Sequence, residues 1–171
     1  PLFVKPNKSG SSFGVQKIKK KGSLQLAIKH ALKYDDEVII EEEIKGKEIS
    51  CGVFSDKYNK TIALPLTEII SHNEFFDYKA KYEGESHEIT PAKINQNLSK
   101  KIKNTSINIY KKMNLKGICR IDFILKNKTP YVIEINTIPG MSKESIIPQQ
   151  IKAAGIKISE VITMSLSNAN I

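Results

Sequence analysis

Two short clusters place acidic, amide and guanidinium side chains at the spacing of strand faces. Arg120-Ile121-Asp122 and Glu134-Ile135-Asn136 each alternate polar with apolar residues. As strands they put Arg120 and Asp122 on one face and Glu134 and Asn136 on one face, with Ile121, Phe123, Ile133 and Ile135 packing behind. If the two strands form a hairpin closed by an odd number of residues, for example Asn127 to Thr129, Asp122 lies opposite Glu134. Two carboxylates and an amide oxygen then converge. Like charges at cross-strand distance are costly unless neutralised, and hard oxygen donors suit Mg²⁺ shared with phosphates. The pattern equally suits solvated carboxylates bridged by a surface lysine, and spacing alone does not choose. Arg120 is the sole arginine among 27 Lys+Arg. Where lysine serves everywhere else, one arginine marks a position that needs a planar, two-pronged donor.

Three further segments have chemical potential. The loop Asn7-Lys8-Ser9-Gly10-Ser11-Ser12-Phe13-Gly14 follows Lys5. Its small residues let backbone amides approach phosphate oxygens, with Lys5 as a point charge at its base. It lacks the G-K-[ST] ending of a Walker loop and runs into a strand, so an ordinary flexible hairpin fits it as well. The run Ile39-Ile40-Glu41-Glu42-Glu43-Ile44, followed by Gly46 and Glu48, reads either as a solvated acidic face or as a connector between lobes. As a connector, its backbone would pair with an adenine edge and Glu48 would accept ribose hydroxyls. Thr137 to Ser142, leading to Glu144-Ser145-Ile146, is a turn before a helix in which an N–H at Gly140 could meet an oxyanion.

These residues need elements to position them. Leu2 to Lys5 and Val15 to Ile18 read as a hairpin, and Ser23 as the cap of a helix to about Tyr34. Glu37 to Ile44 and Glu48 to Phe54 read as partner strands turned at Lys45-Gly46-Lys47, and Thr61 to Ile70 as another strand. Residues 71 to 93 have no clean period but hold Phe75, Phe76, Tyr78 and Tyr82, and an aromatic loop of this length marks a lid. A helix spans about Asn95 to Asn114. Gly117 to Leu125 and Pro130 to Ile135 form a hairpin, followed by a helix from about Glu144 to Ala154 that ends at Gly155 and a last helix from Ser159. Hairpins mixed with packing helices give an α+β fold, with a small strand-rich lobe over 1–45 and a larger antiparallel sheet packed with helices over 46–171.

Composition narrows the function. The 171 residues are 40% hydrophobic and 26% charged, enough for a real core. No apolar run approaches the ~20 residues of a membrane span, and no signal-peptide pattern opens the chain. Cys51 and Cys119 are too few for a disulfide framework and fit two buried thiols in a reducing compartment. The charge of +9 invites nucleic-acid binding. Dispersed lysines without arginine forks or stacking aromatics argue against it. The chain begins without Met on a strand already under way, which suggests part of a longer protein.

Taken together, Val4-Lys5-Pro6, Ser9-Gly10-Ser11-Ser12, Phe76-Asp77-Tyr78 with Lys81-Tyr82, Gly117 to Asp122, and Glu134-Ile135-Asn136-Thr137 with Pro139-Gly140-Met141 closely resemble the D-alanine:D-alanine ligases of the ATP-grasp family. The resemblance covers nearly the whole chain, and the last two blocks are specific. It implies ATP-dependent joining of two D-alanines through an acyl phosphate, for cell-wall precursor synthesis in the cytoplasm. Lys5, Ser11 and Lys81 would hold ATP phosphates, Glu41, Glu42 and Ile44 the adenine, and Glu48 the ribose. Asp122, Glu134 and Asn136 would bind two Mg²⁺, for which Mn²⁺ could substitute. Arg120 and Gly140 would stabilise an oxyanion, with Ser11 and Tyr82 also catalytic. Arg120, Ser145 and Ile146 would hold the second substrate. Tyr82 argues for a peptide product over a D-lactate depsipeptide, and Phe76 stands where relatives carry Tyr. The resemblance further implies a homodimer for the full-length enzyme. It also implies a preceding N-terminal domain absent here, without which the fragment is expected to be inactive. His30, His72 and His87 match no motif.

Overall fold

The computed structural model describes residues 1–10, 12–71 and 86–167. The described chain falls into two compact units, the first over 1–45 with Ser71 and Ser86 and the second over 46–70 and 87–167. The first holds β1 (Leu2–Pro6), β2 (Gln16–Ile18), α1 (Leu24–Ala31) and β3 (Val38–Glu42). Its antiparallel sheet has the order β2-β1-β3. One face is covered by α1, whose Ala27 and Ala31, one turn apart, are small enough to bring the helix onto Val4 and Ile18. Ser23 stands at the N-cap position of α1, as expected, but does not cap it with its hydroxyl. It sits in a 3-10 turn over Lys21–Ser23 with helical backbone angles and makes no side-chain cap bond.

The second unit is built on β4 (Lys47–Ser55), with β5 (Thr61–Ala63), β6 (Thr67–Ser71), β7 (Ser86–Ile89), β8 (Cys119–Lys126) and β9 (Thr129–Asn136). The order is β7-β6-β4-β8-β9, with β5 pairing the far end of β4. Three helices complete it: α2 (Gln96–Lys112), α3 (Ile146–Ala153) and α4 (Ile158–Ser167). Asn95 caps α2 by accepting the Asn97 amide, and Gly155 takes a positive φ just beyond α3, as expected.

Strand β4 is buried on both faces. Ile49, Cys51 and Val53 join Ile102 and Tyr110 of α2 and Ile121 and Phe123 of β8 in one core. On the other face Phe54 packs with Leu64, Ile147, Ile151 and Val161. Period-two alternation therefore turns Ser50 and Gly52, with their cross-strand neighbours Asp122 and Arg120, away from the α2 core. That face carries the polar groups of the site.

Two expectations about strands fail. The strand over 37–44 does not pair with the one over 48–54: β3 completes the small sheet against β1, while β4 belongs to the larger sheet. Lys45-Gly46 is the passage from one unit to the next. Gly46 is needed because a Cβ there would meet the Leu125 carbonyl oxygen of β8. The strand expected over 61–70 is two strands broken at Leu64-Pro65-Leu66, where Pro65 lacks the amide a ladder requires. Of the expected lid, residues 72–85 lie outside the described residues, and its end forms β7 against β6.

Candidate active site

The acidic cluster is assembled by the β8–β9 hairpin. Arg120 pairs with Asn136 and Asp122 with Glu134, so the four side chains share one face. The route to that register differs from the expected odd loop. The turn has two residues, Asn127 and Lys128, both at positive φ, the geometry that matches strand twist in a tight hairpin. That even closure pairs Phe123 with Val132, and a bulge between Asp122 and Phe123 then absorbs Ile133 and brings Glu134 opposite Asp122. As the bulged residue, Ile133 is 37% exposed rather than packed behind the site, whereas Ile121 and Phe123 are core residues as expected.

Arg120 grips Asp122 with two prongs: Nε lies 3.0 Å from Oδ1, and Nη2 lies 2.9 Å from Oδ2. Ser50 Oγ donates to the same Oδ1 at 2.5 Å. Burial pulls the Arg120 pKa down, but Asp122 first, then Glu134 and Glu88, outweigh it and raise it above the ordinary value. Glu88, on β7, gave no sequence signal. Its half-buried carboxylate accepts from Gln149 Nε2 at 2.5 Å. Burial pushes its pKa up against the opposing pull of Gln149, Arg120 and His87. The guanidinium thus lies in the field of three carboxylates, with Asp122 in direct contact.

Among the described residues, no three Asp, Glu, His or Cys side chains form a metal-holding group. The expected set differs in kind: two carboxylates and an amide on one sheet face, the hard oxygen donors that Mg²⁺ and Mn²⁺ take alongside phosphate. Asp122, Glu134 and Asn136 fit such an ion. The Asn136 side-chain oxygen also accepts the Ile138 amide at 3.2 Å, fixing the strand exit.

That exit leads to the second part of the site. Ser145 N donates to the Ser142 carbonyl, and the two hydroxyls lie 2.7 Å apart. Ser145 occupies the N-cap of α3 in an extended conformation without spending its hydroxyl on a cap bond. A Cβ on Gly140 would come within 2.9 Å of Ser145 Oγ. Gly140, Ser145 and the first turn of α3 at Ile146 are therefore together, presenting a hydroxyl and helix-start amides to an anion.

In the first unit, Lys5 Nζ is 2.8 Å from Glu41 and Lys17 Nζ is 2.7 Å from Glu43. The Lys17 hydrogen bond is the chief cause holding the Glu43 carboxyl below its usual range. Glu41 faces the Phe3 side of the sheet and Glu42 the opposite side. Ile44 lies beyond β3, and Glu48 lies on β4 of the other unit. The loop after Lys5 is moored at its base, where Asn7 bonds Glu37 through backbone and side chain and the Lys8 amide donates to Asp35. Hydrogen bonding with Asp36, then with that amide, lowers the Asp35 pKa to about 2. Ser11, Lys81 and Tyr82 lie outside the described residues.

Residues 1–167 match the family described as D-ala D-ala ligase C-terminus. The chain belongs to that family. It is 49% identical to the D-alanine–D-alanine ligase of Flavobacterium johnsoniae over 97% of its own length and 51% of the relative's. It is 48% identical to that of Christiangramia forsetii over 99% and 52%. The chain spans about half the length of the curated relatives it matches. Among solved structures, it resembles the VanG D-Ala:D-Ser ligase from Enterococcus faecalis, with a TM-score of 0.83 and 34% identity over 97% of this chain and 48% of that one. The D-alanine–D-alanine ligase from Bacillus anthracis gives 0.81 and 37% over 98% and 54%. The same enzyme complexed with ATP gives 0.76 and 31% over 98% and 50%. The fold is thus α+β, that of the ATP-grasp ligases. Within this ligase C-terminus fold, Arg120, Asp122, Glu134 and Asn136 form one group, Gly140, Ser145 and Ile146 a second, and Lys5 and Glu41 a third.

Proposed function

We propose that the chain is the catalytic C-terminal portion of a D-alanine:D-alanine ligase. The observation that carries this reading is the register that sets Asp122 opposite Glu134 and Arg120 opposite Asn136 within the ligase fold. The first D-alanine carboxylate attacks the γ-phosphorus of ATP, releasing ADP and forming an acyl phosphate. The amine of the second D-alanine attacks that carbonyl, phosphate leaves, the nitrogen loses a proton, and D-alanyl-D-alanine results.

Lys5 and the loop after it, with Ser11 and Lys81, hold the phosphates. Glu41, Glu42 and Ile44 meet the adenine and Glu48 the ribose. Asp122, Glu134 and Asn136 hold two Mg²⁺, whose charge offsets the repulsion between a carboxylate nucleophile and a triphosphate. Arg120 and the Gly140 amide receive the developing oxyanion. Arg120, Ser145 and the Ile146 amide fix the second substrate's carboxylate, and Tyr82 favours an amine over D-lactate. The reading includes a preceding N-terminal domain, a homodimeric full-length enzyme and a cytoplasmic location. No helix among the described residues is long and apolar enough to cross a membrane.

Phosphate release from Mg-ATP tests the reading. The assay is run on the chain alone and on the chain fused behind the remaining half of the Flavobacterium johnsoniae relative. Substrates are D-alanine, L-alanine, and D-alanine with D-serine or D-lactate. Turnover by the fused protein that requires D-alanine and collapses in Asp122→Asn is expected, with none from the chain alone. Release indifferent to D-alanine refutes the substrate assignment. Preferential D-lactate incorporation redirects the Tyr82 argument, preferential D-serine incorporation overturns D-alanine as the second substrate, and dipeptide from the chain alone refutes the need for a preceding domain.

A further inference from the structure

Ser50 is fully buried in the middle of β4, opposite Asp122 on the face turned away from the α2 core. Its hydroxyl donates to Asp122 Oδ1 at 2.5 Å. An aspartate projecting from a strand can rotate about both side-chain torsions, and a hydroxyl from the neighbouring strand removes that freedom.

The main chain of Ser50 is itself set from outside the sheet. Pairing of β4 with β6 ends at Ser50 opposite Thr67, and pairing with β5 begins at Val53 opposite Ala63. The gap is filled by the side-chain amide of Gln150 from α3. Gln150 Nε2 donates to the Ser50 carbonyl at 3.0 Å and to Thr67 Oγ1 at 3.1 Å. Gln150 Oε1 accepts the Gly52 amide at 2.8 Å. Gln150 is fully buried, and no side chain fits at Gly52, where a Cβ would lie 2.7 Å from Gln150 Oε1. The helix that begins at Ser145 and Ile146 is thus tied through Gln150 to Ser50, and through Ser50 to Asp122.

We propose that Ser50 is a positioning residue that sets the carboxylate of Asp122, and that Gln150 sets Ser50. The inference rests on the functional reading above, in which Asp122 holds a divalent cation. Arg120 has two tasks in that reading, gripping Asp122 and receiving an anion. Should the guanidinium be drawn to the anion, the Ser50 hydroxyl would still hold Oδ1 and so keep the Asp122 carboxylate oriented. Outer-shell partners of this kind typically contribute about 10- to 100-fold to metal affinity.

The test is Mn²⁺ binding by the chain, read from the spin-resonance signal of free Mn²⁺ with and without a non-hydrolysable ATP analogue. It compares the native chain, Ser50→Ala, Asp122→Asn and the double variant. Ser50→Ala is expected to weaken Mn²⁺ about 10- to 100-fold while nucleotide affinity in chelator stays unchanged. On the Asp122→Asn background the Ser50 change adds nothing, because it acts through that carboxylate. Ser50→Cys, which keeps the shape but is a weaker donor, carries the same test if Ser50→Ala does not fold. Native Mn²⁺ affinity in Ser50→Ala with weakened Asp122→Asn overturns the inference alone. So does a Ser50 effect that persists in full on the Asp122→Asn background. Native affinity in Asp122→Asn overturns the functional reading and the inference with it.

Discussion

Replacing Gln150 with leucine should cost the second unit a large share of its stability, although the change is apolar and nearly isosteric in a fully buried site. The three hydrogen bonds of the amide close a gap in the sheet ladder. Thr67 keeps its contact with Thr90 at 2.6 Å. The Gly52 amide and the Ser50 carbonyl lose the partners that Gln150 supplies on that edge of β4. Leaving a buried polar group unsatisfied costs about 1–3 kcal/mol, so two cost about 2–6 kcal/mol. The apolar gain of leucine offsets about 1–2 kcal/mol, and the net loss is centred near about 2–3 kcal/mol. Against a typical domain stability of about 5–15 kcal/mol, that is readily measured. Urea unfolding of the chain should show a lower midpoint at unchanged slope, and the melting temperature should fall by about 5–10 °C. Amide exchange gives a local reading, with Gly52 N–H losing more protection than Ile102 or Ile121, whose surroundings are unchanged. An unfolding free energy within roughly 0.5 kcal/mol of native, with Gly52 no faster, would refute the view that this amide completes the ladder.

Three other outcomes follow from the same geometry. Gly140→Ala in the fused ligase should raise KM for the second D-alanine about 10-fold or more with little loss of stability, because the new methyl pushes Ser145 Oγ from 2.9 Å; an unchanged KM would remove Ser145 from the substrate site. Burial pushes the Cys51 thiol up to about 12 and raises Cys119 as well, so iodoacetamide at pH 8 should label neither in the native chain and both after unfolding, and mass spectrometry would expose rapid native labelling. Glu43 has a folded pKa held below 4.5 by the Lys17 hydrogen bond, so its contribution is complete above 4.5 and lost as pH falls through the depressed folded value. Urea midpoints between pH 5 and 3 should therefore fall less steeply in Lys17→Met than in the native chain, and parallel curves would contradict the pairing.

Local pattern was enough for much of this molecule. Alternation alone put Arg120 with Asp122 and Glu134 with Asn136, because strand side chains repeat every two residues whatever the partner. The hairpin of β1 and β2, the helix begun by Asn95, the stop at Gly155 and the two buried thiols were legible for the same reason: each depends on neighbours in sequence or on residue type. The blocks around Arg120 and Gly140 also carried the family. What sequence could not determine was which distant groups would meet. Strand β3 pairs with β1 rather than the next strand, and Asp122 reaches Glu134 through a bulge at Ile133 rather than an odd turn. Glu88 joins Gln149 across 61 residues, Ser50 joins Asp122 across 72, and Gln150 bridges to Ser50 across 100. Such contacts leave no period in the chain. They follow from burial, which makes an unpartnered amide, hydroxyl or carboxylate costly and so favours any partner that the packed helices and sheet bring within reach.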